Sequence, residues 1–406
     1  MTLPVIRLAI ALFLVQAGFH GYTASLPLAL ARADVPDATI GLIVGMAAVV
    51  QVPAAIAGGR LVDTFGGLRL FAAGGFAYLL ASGILLLPGV EPGGSALPFF
   101  AARALQGAGI AATLPAALSL VPRMLPKAQT SNGLAFVGAA HNLTLVLLPP
   151  ISIAVLDAAS FDGVALMVIG FVCAGLLLAI RLPVRPMAHQ TVSALGVASR
   201  RFGITWRREW LMPLLIVVTY VAHWGAITAY LPVRASEAGA DIGLYFAADG
   251  LAIFAMRIPT GWLTNHVASR TLILVGAFGT AIAIGMLLLP LTTPLLIVSG
   301  LLGGASGALV MTPILIELSH RSSDADRGSA FALFSGGLAA AMSLGSIGGA
   351  PIVAVLGMSA ALAVGILLIG VSVVLTLSDP SLRVGRGGGP PPDPEGAGHS
   401  HADLEP

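Results

Sequence analysis

Charge is what this 406-residue sequence has least of. Charged side chains make up 9% of it, against about 25% in an ordinary soluble domain, while 57% of its residues are hydrophobic. The mean hydropathy is +0.96. A water-soluble globule is excluded on these grounds. A large soluble catalytic domain is excluded as well, because no segment outside the apolar runs is long enough to build one. Cysteine occurs once, as Cys173 within an apolar run, so there is no intramolecular disulfide and no cysteine metal site. The chain carries no P-loop, no dinucleotide glycine fingerprint and no metalloprotease motif, which argues against an ATP-driven pump; neither an enzyme activity nor a cofactor is expected. A net charge of +2 gives no basis for a nucleic-acid partner.

Long apolar runs are what the sequence does have. They fall at about 5–29, 40–58, 69–88, 97–121, 131–156 and 163–181, and again at about 211–232, 242–263, 271–290, 293–317, 328–354 and 359–378. Each is close to the ~20 residues that cross a bilayer as a helix. They are continuously apolar rather than alternating, which selects helices over a barrel. The first run, with Arg7 at its start and Ala29-Leu30-Ala31 at its end, could pass for a cleaved signal segment. It has a counterpart later in the chain, however. Ile40-Gly41-Leu42 and Gly59 recur as Ile242-Gly243-Leu244 and Gly261 at one offset of 202 residues. The chain therefore reads as a duplicated six-helix unit: one bundle at 1–181, a connector at 182–210, a second bundle at 211–378 and a disordered tail at 379–406. His399 and His401 in that tail are read as part of an unstructured polar end.

Basic residues set the orientation. With the N-terminus inside, 16 of the 20 basic residues fall in inner segments and only Arg32 and Arg234 in outer loops; Arg103 and Arg257 lie within spans. Both termini are expected in the cytoplasm, with the chain in the cell (inner) membrane as a monomer and the lipid bilayer as its surroundings. Two parallel-repeated bundles with a long inner connector suit alternating access to a site between them. Glycines at 107 and 109, and at 300, 303, 304 and 307, would let neighbouring helices approach.

The stretch Gly59-Arg60-Leu61-Val62-Asp63-Thr64-Phe65-Gly66-Gly67-Leu68-Arg69, read as a loop, resembles the cytoplasmic motif of the major facilitator superfamily. Arg103-Ala104-Leu105-Gln106-Gly107-Ala108-Gly109 resembles that superfamily's Arg-x-x-Gln-Gly-x-Gly motif. With the twelve-span duplication, the likeness covers residues 1 to about 378, and span count resembles the drug:proton antiporter branch. Thr64 and Leu68 stand where basic residues are usual. The second copy, from Gly261 to His266, has Asn265 in place of an aspartate, and the antiporter Gly-x-x-x-Gly-Pro pattern is absent from the fifth span. The resemblance implies a gating role for Gly59, Asp63, Gly66, Arg69, Gly261 and Asn265, and Arg257, about two turns beyond Asp249 and near Gly261, reads as a gate or a topogenic residue. It also implies a proton-coupling or substrate role for Arg103.

A charge within a span is a functional-site candidate by default. Arg103 and Gln106 share a helical face. His20, His141 and His223 lie in the first, fifth and seventh spans, and His20 and His223 sit at matching depths, so the three could form a central group of imidazoles or bind a metal. No carboxylate of the first half lies at membrane depth, because Asp34, Asp37, Glu91, Asp157 and Asp162 fall at outer loops or ends. A coupling proton would then ride on a histidine or on Asp249 in the eighth span. Tyr220, Trp224, Tyr230, Phe331 and Phe334 could wall an apolar pocket. Glu317, near His320 and Arg321, reads as structural. Gly304-Ala305-Ser306-Gly307 matches an intramembrane serine protease signature but has no histidine base in the spans after it.

The expectation is an all-α membrane protein of twelve helices in two six-helix bundles. It would carry a small molecule by alternating access, most simply as proton-coupled efflux. The alternatives are proton-coupled uptake of a small anionic or sugar-like metabolite and a membrane receptor without transport.

Overall fold

The computed structural model describes residues 2–182, 206–322 and 327–383; the side chains at 56, 58–60, 63, 127–128, 131, 327–328 and 381 lie outside that description. The described residues form fourteen α-helices and no strand. These are α1 (Leu3–His20), α2 (Ser25–Arg32), α3 (Asp37–Phe65), α4 (Gly67–Leu85), α5 (Leu97–Leu120), α6 (Lys127–Ala158) and α7 (Phe161–Ile180). After residues 183–205, the chain continues as α8 (Leu211–Glu237), α9 (Ile242–Leu263), α10 (Ser269–Met286), α11 (Thr293–His320), α12 (Arg327–Ser346), α13 (Ala350–Leu356) and α14 (Met358–Ser378). Together they make twelve segments long and apolar enough to cross a membrane, α1 with α2 forming the first and α12 with α13 the eleventh. The protein is a twelve-helix, multi-pass membrane protein.

Local chemistry explains many of the helix ends. The Asp241 carboxylate accepts from Gly243 N at 2.8 Å and opens α9, and the Ser160 hydroxyl accepts from Gly163 N at 3.2 Å to open α7. Pro4, Pro98 and Pro294 sit in the first turns of α1, α5 and α11, where a missing N–H costs nothing. Pro149 and Pro150 lie within α6 without ending it, and Ser152 donates to the Pro149 carbonyl one turn back at 2.9 Å.

The Gly59–Arg69 stretch differs from its sequence reading. It is not a loop: α3 runs on through Asp63 to Phe65, the turn is the single residue Gly66, and α4 begins at Gly67. Nothing before Gly66 breaks the helix. Gly66 itself has φ +82°, a left-handed conformation that admits glycine with least strain.

Two close helix crossings repeat along the chain. A Cβ added at Gly107 in α5 would overlap the Ala47 backbone in α3, and one added at Gly304 in α11 would overlap the Asp249 backbone in α9. Both contacts depend on a missing side chain. Helices α1–α7 pack among themselves and α8–α14 do the same; the two sets meet chiefly where α3 lies on α12 and α6 on α9. On the face opposite the chain termini they are pressed together, with Gly41 against Tyr230, Gly45 against Ser346 and Ile347, and Gly243 against Pro150.

On the terminal face a clasp holds the second set. Arg321 at the end of α11 pairs with Asp379 at 3.0 Å, lies 3.8 Å from Glu317 and donates to the Glu209 carbonyl at 3.0 Å. Trp210, fully buried, donates to the Arg321 carbonyl at 3.1 Å, and Ser269 donates to Glu317 at 3.2 Å. Glu317 thus ties helix ends together. Residues 206–210 of the expected connector and 379–383 of the expected tail are part of this packing; the rest of both lies outside the described residues, as do His399 and His401.

Candidate functional site

The candidate residues separate into two neighbouring clusters. The first lies where α1, α3, α5 and α6 meet. Arg103, 4% exposed, donates to the Gln106 side-chain oxygen at 2.7 Å and to the Val44 carbonyl at 3.1 Å. Its guanidinium sits 5.0 Å from the centre of the Phe19 ring, a cation–π contact. Phe19 stacks edge-on to His20 at 5.2 Å, and the His20 ring lies 5.4 Å from that of His141. Beside them, Tyr78 donates to Gln16 at 3.1 Å. Gln16 and Tyr78 were missed in the sequence, although a glutamine in the middle of the first apolar run was a readable signal. Tyr78 gave none, because tyrosine in a membrane helix usually marks only packing or the interface.

The second cluster lines a cavity of about 410 Å³ among α8, α9, α10, α11 and α12, reached from the first set by α6. Tyr220, Trp224 and Phe334 form its aromatic wall, with Tyr245 added. The Trp224 ring stands edge-on to Phe246 at 6.1 Å. His223, 7% exposed, has Nδ1 engaged by the Tyr220 carbonyl, which leaves Nε2 for other partners. Tyr220 shares a 2.7 Å hydrogen bond with Thr280.

Asp249 is 5% exposed and lines the same cavity. Its carboxyl accepts no hydrogen bond among the described residues. The glycines of α11 bring that helix against it: Gly304 meets its backbone and Gly303 faces its carboxyl oxygen. Arg257, two turns along α9, lines the cavity towards the terminal face and has an exposed side chain. Asn142, next to His141 on α6, also lines it and so links the two clusters.

The three histidines do not form one group. His20 and His141 are neighbours, whereas His223 belongs to the cavity wall. Among the described residues no three His, Cys, Asp or Glu side chains converge as metal ligands do. Tyr230 is placed differently from its expected wall position: its hydroxyl donates to the Ser346 carbonyl at the closed face. Phe331 is 36% exposed and does not line the cavity. Tyr230 is displaced by its depth, about 15 Å beyond Tyr220 along α8, and Phe331 by the rotation of α12, which apolar runs without strong amphipathicity leave unspecified.

Of the expected gating residues, Arg69 is exposed in the first turn of α4, and Asn265 is exposed in the turn after α9. A Cβ at Gly261 would meet open space. Asp63 and Gly59 fall where side chains lie outside the described residues.

The family model described as Major Facilitator Superfamily matches residues 8–241 and 236–400. No curated relative matches the chain by sequence. Among solved structures, the chain is similar to a nucleoside transporter NupG, with a TM-score of 0.70 and 13% identity over 94% of this chain and 99% of that one. It is similar to a D-xylose–proton symporter, with a TM-score of 0.71 and 16% identity over 92% and 97%. It is also similar to a POT family transporter in complex with a thioalcohol-conjugated peptide, with a TM-score of 0.73 and 14% identity over 92% and 94%.

Proposed function

The chain belongs to the major facilitator superfamily, and from that premise we propose that it exports an apolar, cationic small molecule in exchange for protons by alternating access. One observation carries this reading: a cavity of about 410 Å³, walled by Tyr220, Trp224, Tyr245 and Phe334, holds the buried carboxylate of Asp249. The volume suits a drug-sized ligand. Aromatic faces and one carboxylate suit a lipophilic cation. A carboxylate that binds either a proton or the cation exchanges the two, provided it faces one side of the membrane at a time. The terminal face is assigned to the cytoplasm on the weight of its basic residues, and one chain acts alone.

A second reading is proton-coupled uptake of a small anionic or sugar-like metabolite. It draws support from the D-xylose–proton symporter among the similar solved structures and from the buried cation Arg103 in the first cluster.

Proteoliposomes under an imposed pH gradient separate the two. The export reading expects tetraphenylphosphonium to move against the proton flow and D-xylose to stay in place. D-xylose moving with the protons supports uptake. No gradient-driven movement of either solute, beside a control carrier that still works, contradicts both.

A further inference from the structure

The cluster of Gln16, His20, Arg103, Gln106, His141 and Asn142 has a property that proton coupling leaves unexplained. Seven buried side-chain atoms in it have no hydrogen-bond partner among the described residues, and all seven are nitrogens: Gln16 Nε2, His20 Nδ1 and Nε2, Arg103 Nε, Gln106 Nε2, His141 Nδ1 and Asn142 Nδ2. The orientation of the Gln106 amide is fixed by Arg103, which can only donate: the Gln106 oxygen accepts from it, so Nε2 is left as a donor. The Gln16 oxygen accepts from Tyr78. Gln16, His20, Arg103, Gln106 and Asn142 are all at least nine-tenths buried. Buried donors without acceptors are rare and costly.

The charge balance is equally one-sided. Arg103 is buried, and its described partners are a carbonyl, an amide oxygen and an aromatic face, none of which carries a full negative charge. The acids of the first 181 residues are Asp34, Asp37, Asp63, Glu91, Asp157 and Asp162. All of them lie at helix ends or in the segments between helices. A buried cation without a counter-charge is expensive inside a membrane.

We propose that this cluster is an anion site, distinct from the cavity around Asp249, that takes a small inorganic anion or the carboxylate of an organic one. An anionic oxygen or halide would accept from Arg103 and from the amide nitrogen of its neighbour Gln106. The His20–His141 pair would add a donor from each ring that carries a proton on the facing nitrogen. Asn142 lines the cavity, so an organic carboxylate could enter from there. The site stands on its own geometry and holds whether or not the cavity couples transport to protons.

Thermal unfolding of the purified full-length protein, at constant ionic strength, tests it. Chloride and benzoate are each titrated against isethionate. A ligand that binds only the folded state raises the midpoint and the effect saturates. The wild type is expected to respond saturably to at least one anion. Arg103→Gln and His20→Asn are expected to flatten that response, and His20→Asn keeps the test open should the arginine variant fold poorly. A response to chloride alone assigns the site to an inorganic ion. A response to benzoate alone assigns it to the carboxylate of an organic solute. No saturable response of the wild type to either anion overturns the proposal, as does the same response retained in both variants.

Discussion

Asp249→Asn is expected to cut proton-driven accumulation of substrate by ~100-fold or more, while substrate exchange across the bilayer persists at a higher half-saturating concentration. Asparagine keeps the size and hydrogen-bonding shape of the side chain, so the contact with Gly303 and Gly304 in α11 survives. What it loses is the ability to take up and release a proton, together with the negative charge that attracts the cation. Asp249 is the buried carboxylate of the cavity. A neutral amide there uncouples the two flows instead of closing the path. The measurement is uptake into proteoliposomes with and without a pH gradient, beside counterflow without one. Accumulation at the wild-type level would remove Asp249 from the coupling step and move that role to His223 or to the His20–His141 pair.

The second large effect is on folding. Gly304→Leu is expected to remove most of the folded protein, because the first atom of the new side chain would overlap the Asp249 backbone. Helices α9 and α11 would have to separate, and overpacking of this kind costs about 1–3 kcal/mol or more. Gly285→Leu is the control. It lies in α10, where a Cβ meets open space, and it is expected to leave the yield of monodisperse protein near wild type. Equal yields for the two variants would show that the α9–α11 crossing tolerates a side chain and that the repeated glycine contact is not what holds these helices together.

Much of this fold could be read before any coordinates, for a physical reason. A membrane helix must satisfy its backbone internally, so each crossing leaves a continuous apolar run in the sequence. The twelve runs correspond to the twelve membrane-length segments, and the offset of 202 residues recurs in space between Ala47 and Asp249, the residues whose backbones meet Gly107 and Gly304. Two helix breaks were hidden. One separates α1 from α2 after His20, and the other precedes α13 at Ala350. Hydropathy summed over a run does not register a few residues that turn without becoming polar.

The candidate site was legible only in part. Arg103, Gln106, His20, His141, His223 and Asp249 stood out because polar groups in apolar runs are conspicuous. How they divide between two clusters depends on which face each helix turns inward. That is decided by packing partners such as Phe19 and Tyr78, not by spacing along the chain. Asn142 and Thr280 line the site although nothing in their immediate sequence separates them from ordinary small polar residues of a membrane helix.

Alternating access requires the two sets of helices to rock about the cavity, and paired spin-label distances test this directly. In a Cys173→Ala background, one pair is placed at Asp34 and Glu237 on the face opposite the termini. Another is placed at Pro126 and Thr271 on the terminal face; all four side chains are exposed. On going from neutral to acidic pH with a transported substrate present, the first distance should lengthen as the second shortens. Both distances staying fixed, or changing in the same direction, would contradict the account.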